Sequence, residues 1–117
     1  MPKIQSIDVC AVRVPLDKVT SFSNRTVTDR HYGLVKVRSD DGVEGIGFCY
    51  VGSAAGELFT VAVRDLLGPV LIGRDSYAVE GLWKAMYQES LLQGRAGTVM
   101  RAISALDTAL WDLNART

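Results

Sequence analysis

Hydrophobic positions in this chain follow one period in its first half and another in its second. Residues 3–14 read KIQSIDVCAVRV. Ile7, Val9 and Ala11 fall on one side of a twofold alternation, and Cys10, Val12 and Val14 on the other. Apolar residues on both sides predict a strand covered on both faces, and Pro15 is expected to end it. Residues 16–31 (LDKVTSFSNRTVTDRH) are rich in Ser, Thr, Asn and Asp and show little periodicity, which predicts a long loop. Alternation returns over 32–39, with Val35 and Val37 set against Lys36 and Arg38. Asp41-Gly42 then predicts a two-residue hairpin turn in which both central residues take positive φ. The returning strand, 43–51, puts Ile46 and Phe48 on one face and Gly45 and Gly47 on the other. Glycines so placed predict a bulge or another backbone close by.

From residue 57 onward the period is that of a helix. Residues 52–56 (GSAAG) predict a short turn whose Ser53 caps the next helix. That helix, 57–67, buries Leu58, Val61, Ala62 and Leu66, and Gly68-Pro69 is expected to end it. A connector at 70–74 buries Leu71 and Ile72. Asp75 is a suitable N-cap for a helix over 77–91 with an apolar face of Val79, Leu82, Trp83, Met86 and Tyr87. After a loop at 93–97, residues 95–117 form the longest helical pattern, with Val99, Ile103, Leu106, Leu110 and Leu113 on one face. Ala102, Ala105 and Ala109 widen that face and admit a close neighbour. No Gly or Pro follows Leu113, so apolar positions are expected to remain unmatched and the polypeptide to run on. Strands first and helices after predict an α+β fold: a three-stranded antiparallel meander followed by a helical bundle, one domain over 1–117.

Thirteen Lys and Arg balance thirteen Asp and Glu, so no net field draws the chain to nucleic acid or an anionic membrane. No apolar run reaches the roughly 20 residues of a membrane span. The N-terminus lacks a signal-peptide layout, and the chain reads as cytoplasmic. Cys10 and Cys49 form neither a disulfide framework nor a CxxC metal pattern, and read as reduced thiols.

Candidate chemistry is sparse. Asp40, Asp41 and Glu44 cluster, but at a hairpin tip, where acidic residues usually serve the turn. Asp112 and Arg116 are spaced to pair on a helix. His31 is the only histidine, with Asp29 near it and no nucleophile in view. No GxSxG, P-loop, HExxH or helix-opening GxGxxG occurs. The second strand enters from the 16–31 loop and the third exits into residues 50–53, while their shared turn lies at the other end. Both segments therefore project from one edge of the sheet.

Five stretches in order, KIQSIDVCAVRVPL, DDGVEGIGF, LLGPVLIGRD, VEGLWKAMY and RAISALDTALWDLNAR, resemble the N-terminal capping domain of the enolase superfamily, in its mandelate racemase and muconate-lactonising branch. The Ala-Leu-Trp-Asp run at 109–112 is the most specific of them. GFCYVGSAAGEL and GRAG are most similar to mandelate-racemase-like acid-sugar enzymes. One departure is Gly47-Phe48, where many members carry Gly-Glu. The resemblance implies a parent racemase or dehydratase whose C-terminal (β/α) barrel, in cis or on another chain, holds Mg²⁺ through three carboxylates. That barrel also carries the Lys or His bases that abstract a proton α to the carboxylate of a hydroxy acid or acid sugar, the metal stabilising the enediolate. The implied role of 1–117 is a lid, not catalytic alone and binding no metal, in an enzyme expected to be a homo-oligomer. The implied substrate-facing residues are Phe22, Ser23, Asn24 and Arg25, then Tyr50, Val51 and Ser53. The alternative is a stand-alone small-ligand or protein-interaction domain of the same fold.

Overall fold

Three antiparallel strands form a meander in the order β1-β2-β3, with β1 at Ile4–Phe22, β2 at Arg25–Ser39 and β3 at Glu44–Gly52. The structure, a computed structural model, describes residues 2–22, 25–52, 55–93 and 97–117, by backbone alone over 17–22 and 25–27. The alternation at 32–39 produces a central strand whose Val35 and Val37 are buried in the core. The three strands expose their other face, where Val12, Val14, Ile46, Phe48 and Tyr50 lie open to solvent. The strand expected to be covered on both faces is therefore covered on one.

Within the expected loop at 16–31, residues 16–22 and 25–31 are instead strand. β1 continues through Pro15 to Phe22 and pairs with β2 as far as Phe22 opposite Arg25. β1 is an edge strand, and its register shifts between Pro15 and Thr20, so the missing proline N–H disturbs little. β3 stops at Gly52, opposite His31. Beyond that point β1 and β2 pair only with each other, as a two-stranded ribbon. Beyond His31 no third strand pairs with it among the described residues, and no alternation marks it in the sequence. At about 3.3 Å per residue, the 15 residues of β2 span about 50 Å. The molecule's longest dimension is 51 Å.

The turn between β2 and β3 also departs from expectation. Only Gly42 takes positive φ (88°); Asp41 does not. Gly42 N–H donates to the Ser39 carbonyl (3.0 Å) and Ser39 N–H to the Val43 carbonyl (2.9 Å). This is a wider turn closed by a glycine in the left-handed region.

The helices cover the inner face of the sheet. α1 (Glu57–Val61) passes into a π-helical segment at Ala62–Leu67 and then α2 (Gly68–Leu71). Gly68-Pro69 does not end the helical path, because proline in a first helical turn gives up only an N–H that has no partner there. α3 (Val79–Glu89) buries Leu82 and Met86, while Trp83 stacks on Tyr87 near the surface (5.3 Å between ring centroids). Asp75 Oδ1 accepts from Tyr77 N–H (2.9 Å), closing the turn before α3, and Ala78 is the residue that caps the helix.

α4 (Thr98–Arg116) lies directly on β3. Its buried face comprises Ala102, Ile103, Ala105, Leu106, Ala109, Leu110 and Leu113. The expectation of unmatched apolar positions near its end is corrected for Leu113, which is 0% exposed and packed inside this domain, while Trp111 two residues earlier stays 59% exposed. Close approach depends on Gly45 and Gly47. A Cβ on Gly47 would collide with the Ala105 carbonyl oxygen, and one on Gly45 with the Ala109 carbonyl oxygen and, at 2.7 Å, with Leu113 Cβ. The neighbouring backbone expected at these glycines is α4. Among the described residues, no helix is long and apolar enough to cross a membrane.

Candidate functional site

The end of the sheet where β3 stops gathers side chains distant in sequence. Tyr32 and Tyr50 face each other across β2 and β3 on the open face, edge to face, with ring centroids 5.8 Å apart. Arg30 joins them around an open depression of about 280 Å³. Arg101, near the start of α4, reaches over: its Nη1 donates to the Tyr50 carbonyl (2.9 Å), and its guanidinium lies 5.9 Å from the Tyr50 ring centroid. Two guanidinium groups and two phenols thus share one exposed corner. Guanidinium groups pair with carboxylates, and phenol hydroxyls exchange hydrogen bonds with polyols. Of the four, sequence reading named only Tyr50. Arg30, Tyr32 and Arg101 become neighbours through the β2–β3 register and the packing of α4 on β3, which no local spacing reveals.

The other expected substrate-facing residues are distributed around this end. Phe22 and Arg25 pair at the far end of the ribbon. Arg25 is seven residues along β2 from Tyr32, on the order of 20 Å. The ribbon tip and Tyr50 therefore belong to the same end of the molecule. Val51 packs against the core beneath the sheet. Ser23, Asn24 and Ser53 lie outside the described residues.

His31 marks the root of the ribbon. It is half-buried, and its Nδ1 accepts the Gly56 backbone N–H (3.2 Å).

Among the described residues, no group of three or more His, Cys, Asp or Glu comes together as a metal cage. The acidic cluster at the β2–β3 turn is already engaged. Asp40 accepts from Lys3 N–H (3.1 Å), Asp41 from the Ser39 hydroxyl, and Glu44 pairs with Lys36 (3.7 Å). Cys49 is not poised as a nucleophile. Burial pushes its thiol above the usual range, opposed in part by Arg101, and its S–H donates to the Arg101 carbonyl (3.6 Å).

The Ala-Leu-Trp-Asp run at 109–112 has a structural meaning. Ala109 is the small residue over Gly45, and Leu110 is core. Trp111 is 59% exposed, so it is no part of this domain's core. Asp112 Oδ2 accepts from the Ile46 N–H (2.9 Å) and from Arg116 Nε (3.2 Å). Because β3 is an edge strand, that N–H has no neighbouring strand, and Asp112 supplies its partner. The bond from Ile46, and then Arg116, hold the carboxyl below the usual carboxylate range. A depressed folded-state pKa adds stability above the unfolded value near 4, and that contribution disappears as pH falls through the folded value. Asp112→Ala is therefore expected to lower the melting temperature modestly at neutral pH. The gap to wild type should close in acid, as followed by circular dichroism melts from pH 7 downward. A gap independent of pH would assign the loss to something other than the carboxylate.

Comparison with known proteins identifies the fold. The family model for the mandelate racemase / muconate lactonizing enzyme N-terminal domain matches residues 4–117. The chain is 32% identical over 112 residues to a 3,6-anhydro-α-L-galactonate cycloisomerase of Streptomyces coelicolor, covering 94% of this chain and 31% of that protein. It is 37% identical over 93 residues to a D-mannonate dehydratase of Rhizorhabdus wittichii, covering 78% of this chain and 22% of that protein. Among solved structures, a racemase from Streptomyces coelicolor with bound magnesium superimposes with a TM-score of 0.89 at 30% identity. That match covers 95% of this chain and 31% of the racemase. The chain thus spans under a third of the length of these relatives.

Proposed function

Since this chain belongs to the mandelate racemase / muconate lactonizing enzyme family, as its N-terminal domain, we propose that it is the capping domain of an Mg²⁺-dependent racemase or dehydratase acting on an acid sugar or hydroxy acid. The observation that carries the reading is the exposed cluster of Arg30, Tyr32, Tyr50 and Arg101 at the end from which the ribbon projects. Guanidinium groups beside phenols suit a polyhydroxy carboxylate: the first recognise its charge, the second its hydroxyls. As the family resemblance implies, Mg²⁺ and the bases that take the proton α to the carboxylate are assigned to a C-terminal (β/α) barrel of the parent; in support, this chain spans under a third of its relatives' length and a similar racemase structure holds magnesium. Two exposed apolar areas suit a larger neighbour. One is the open sheet face around Ile46 and Phe48. The other is a cleft of about 390 Å³ lined by Leu58, Val61, Leu66 and Val99.

Two measurements test the reading. The purified 117-residue chain with Mg²⁺ should not turn over D-mannonate or 3,6-anhydro-α-L-galactonate; measurable turnover would overturn the division of labour. In the parent enzyme, Tyr50→Ala or Arg25→Ala should raise KM or shift substrate preference by about tenfold, the scale of one lost charged or polar contact, with the fold intact. Unchanged specificity across an acid-sugar panel in both variants would remove the capping assignment.

A further inference from the structure

We propose that His31 is a positioning residue. It clasps the turn between β3 and α1 to the root of the β1–β2 ribbon, and so sets how the segments bearing Tyr50 and Arg25 stand relative to each other. The clasp rests on geometry alone; its effect on substrate rests on the capping reading above.

His31 engages both flanks of that turn. Its backbone pairs with Gly52, the last residue of β3, and its side chain accepts the N–H of Gly56, the residue before α1. Gly56 is buried in a notch on the ribbon root. A Cβ there would lie 3.0 Å from His31 Nδ1 and 3.1 Å from Ala11 Cβ on β1, so a side chain would crowd both and need them to give by a few tenths of an ångström. Gly52 and Ala55 both take positive φ, at 112° and 61°. Alanine adopts that region only where surrounding contacts hold it. The Gly56 bond, one residue on, is such a contact. An amide N–H requires an acceptor nitrogen without a proton, so the neutral ring carries its hydrogen on Nε2.

The location explains why one residue can serve both segments. His31 is where the three-stranded sheet becomes a two-stranded ribbon. Up to that point the strands are braced by α4 and the core. Beyond it β3 no longer pairs with β2, and the His31–Gly56 contact ties the root of the ribbon to the start of α1.

Hydrogen exchange on the 117-residue chain tests the clasp. The Gly56 amide should be protected, and the His31 ring should give the nitrogen resonance of an unprotonated, bond-accepting Nδ1. His31→Leu should speed Gly56 exchange about tenfold or more while the amides of Val35 and Leu106 stay slow. His31→Asn, whose oxygen stands close to the place of Nδ1, should restore most of the protection. Equal Gly56 exchange in wild type and H31L would overturn the clasp, whatever the parent enzyme does. In the parent, on whichever of D-mannonate and 3,6-anhydro-α-L-galactonate it turns over, H31L should raise KM about tenfold with kcat nearly unchanged, and H31N should recover it. If Tyr50→Ala moves KM and H31L does not, the positioning role falls alone. If neither does, the capping reading falls with it.

Discussion

Gly47→Ala is expected to destabilise the domain by about 3 kcal/mol or more, and Gly45→Ala/Gly47→Ala together to exceed what a domain of this size can lose. Two effects oppose each other here. Replacing glycine in a strand removes chain entropy from the unfolded state and on its own stabilises by about 0.4–1 kcal/mol. Against that, the new methyl at 47 meets the Ala105 carbonyl, and that at 45 meets the Ala109 carbonyl and the Leu113 backbone N–H. These are backbone atoms of a helix whose opposite ends are packed, so no rotamer change relieves the clash. The steric term wins. Denaturant titration of the 117-residue chain would read the loss as a lower midpoint. A change under about 1 kcal/mol for Gly47→Ala would mean that α4 rides up on the sheet without cost, and that the glycine face does not set their spacing.

Phe59→Ala is expected to cost about 3–5 kcal/mol, the range for deleting a fully buried aromatic ring. Phe59 is 0% exposed, and its ring lies against Gly33 of β2, where a Cβ would fall inside the ring's contact distance. Sheet and helix layer are therefore notched together at this pair as well. A double-mutant cycle distinguishes this from simple burial. Gly33→Ala should destabilise the wild-type chain, whereas in the Phe59→Ala background its methyl enters the vacated space and should be tolerated or helpful. The expected coupling is about 1–3 kcal/mol, as for residues in direct contact. Additive losses would show that Gly33 and Phe59 do not share the site.

Much of the fold is legible in the sequence because it is written locally. The alternation around Val35 and Val37 marks the central strand, and the threefold and fourfold steps from Val99 to Leu113 mark α4 with its buried face. The paired glycines of β3 predict a close backbone, and α4 is that backbone. The Ala-Leu-Trp-Asp run announces the family. Its individual roles emerge only in three dimensions, where Asp112 completes an edge strand and Trp111 faces solvent. The ribbon over 16–22 and 25–31 is illegible for a physical reason. Strands are recognised by the face they bury, and beyond His31 no third strand pairs with this extension among the described residues.

The candidate site follows the same division. Tyr50 can be singled out because it ends a strand. Arg30, Tyr32 and Arg101 are ordinary surface residues until the register of β2 against β3, and of α4 against both, puts them on one corner. His31 likewise reads as a lone histidine until Gly56 is placed on its ring.

By itself, then, the sequence determined the element order, the α+β class, the buried face of α4 and the family; for the first helix the expected inward residues Leu58 and Val61 are exposed, and Phe59, Val63 and Leu67 are buried in their place. Only the tertiary structure decided which face of the sheet is covered, where the ribbon begins and which distant side chains meet. Those depend on the packing of α4 onto a glycine-lined strand, a relation between segments that no single segment encodes.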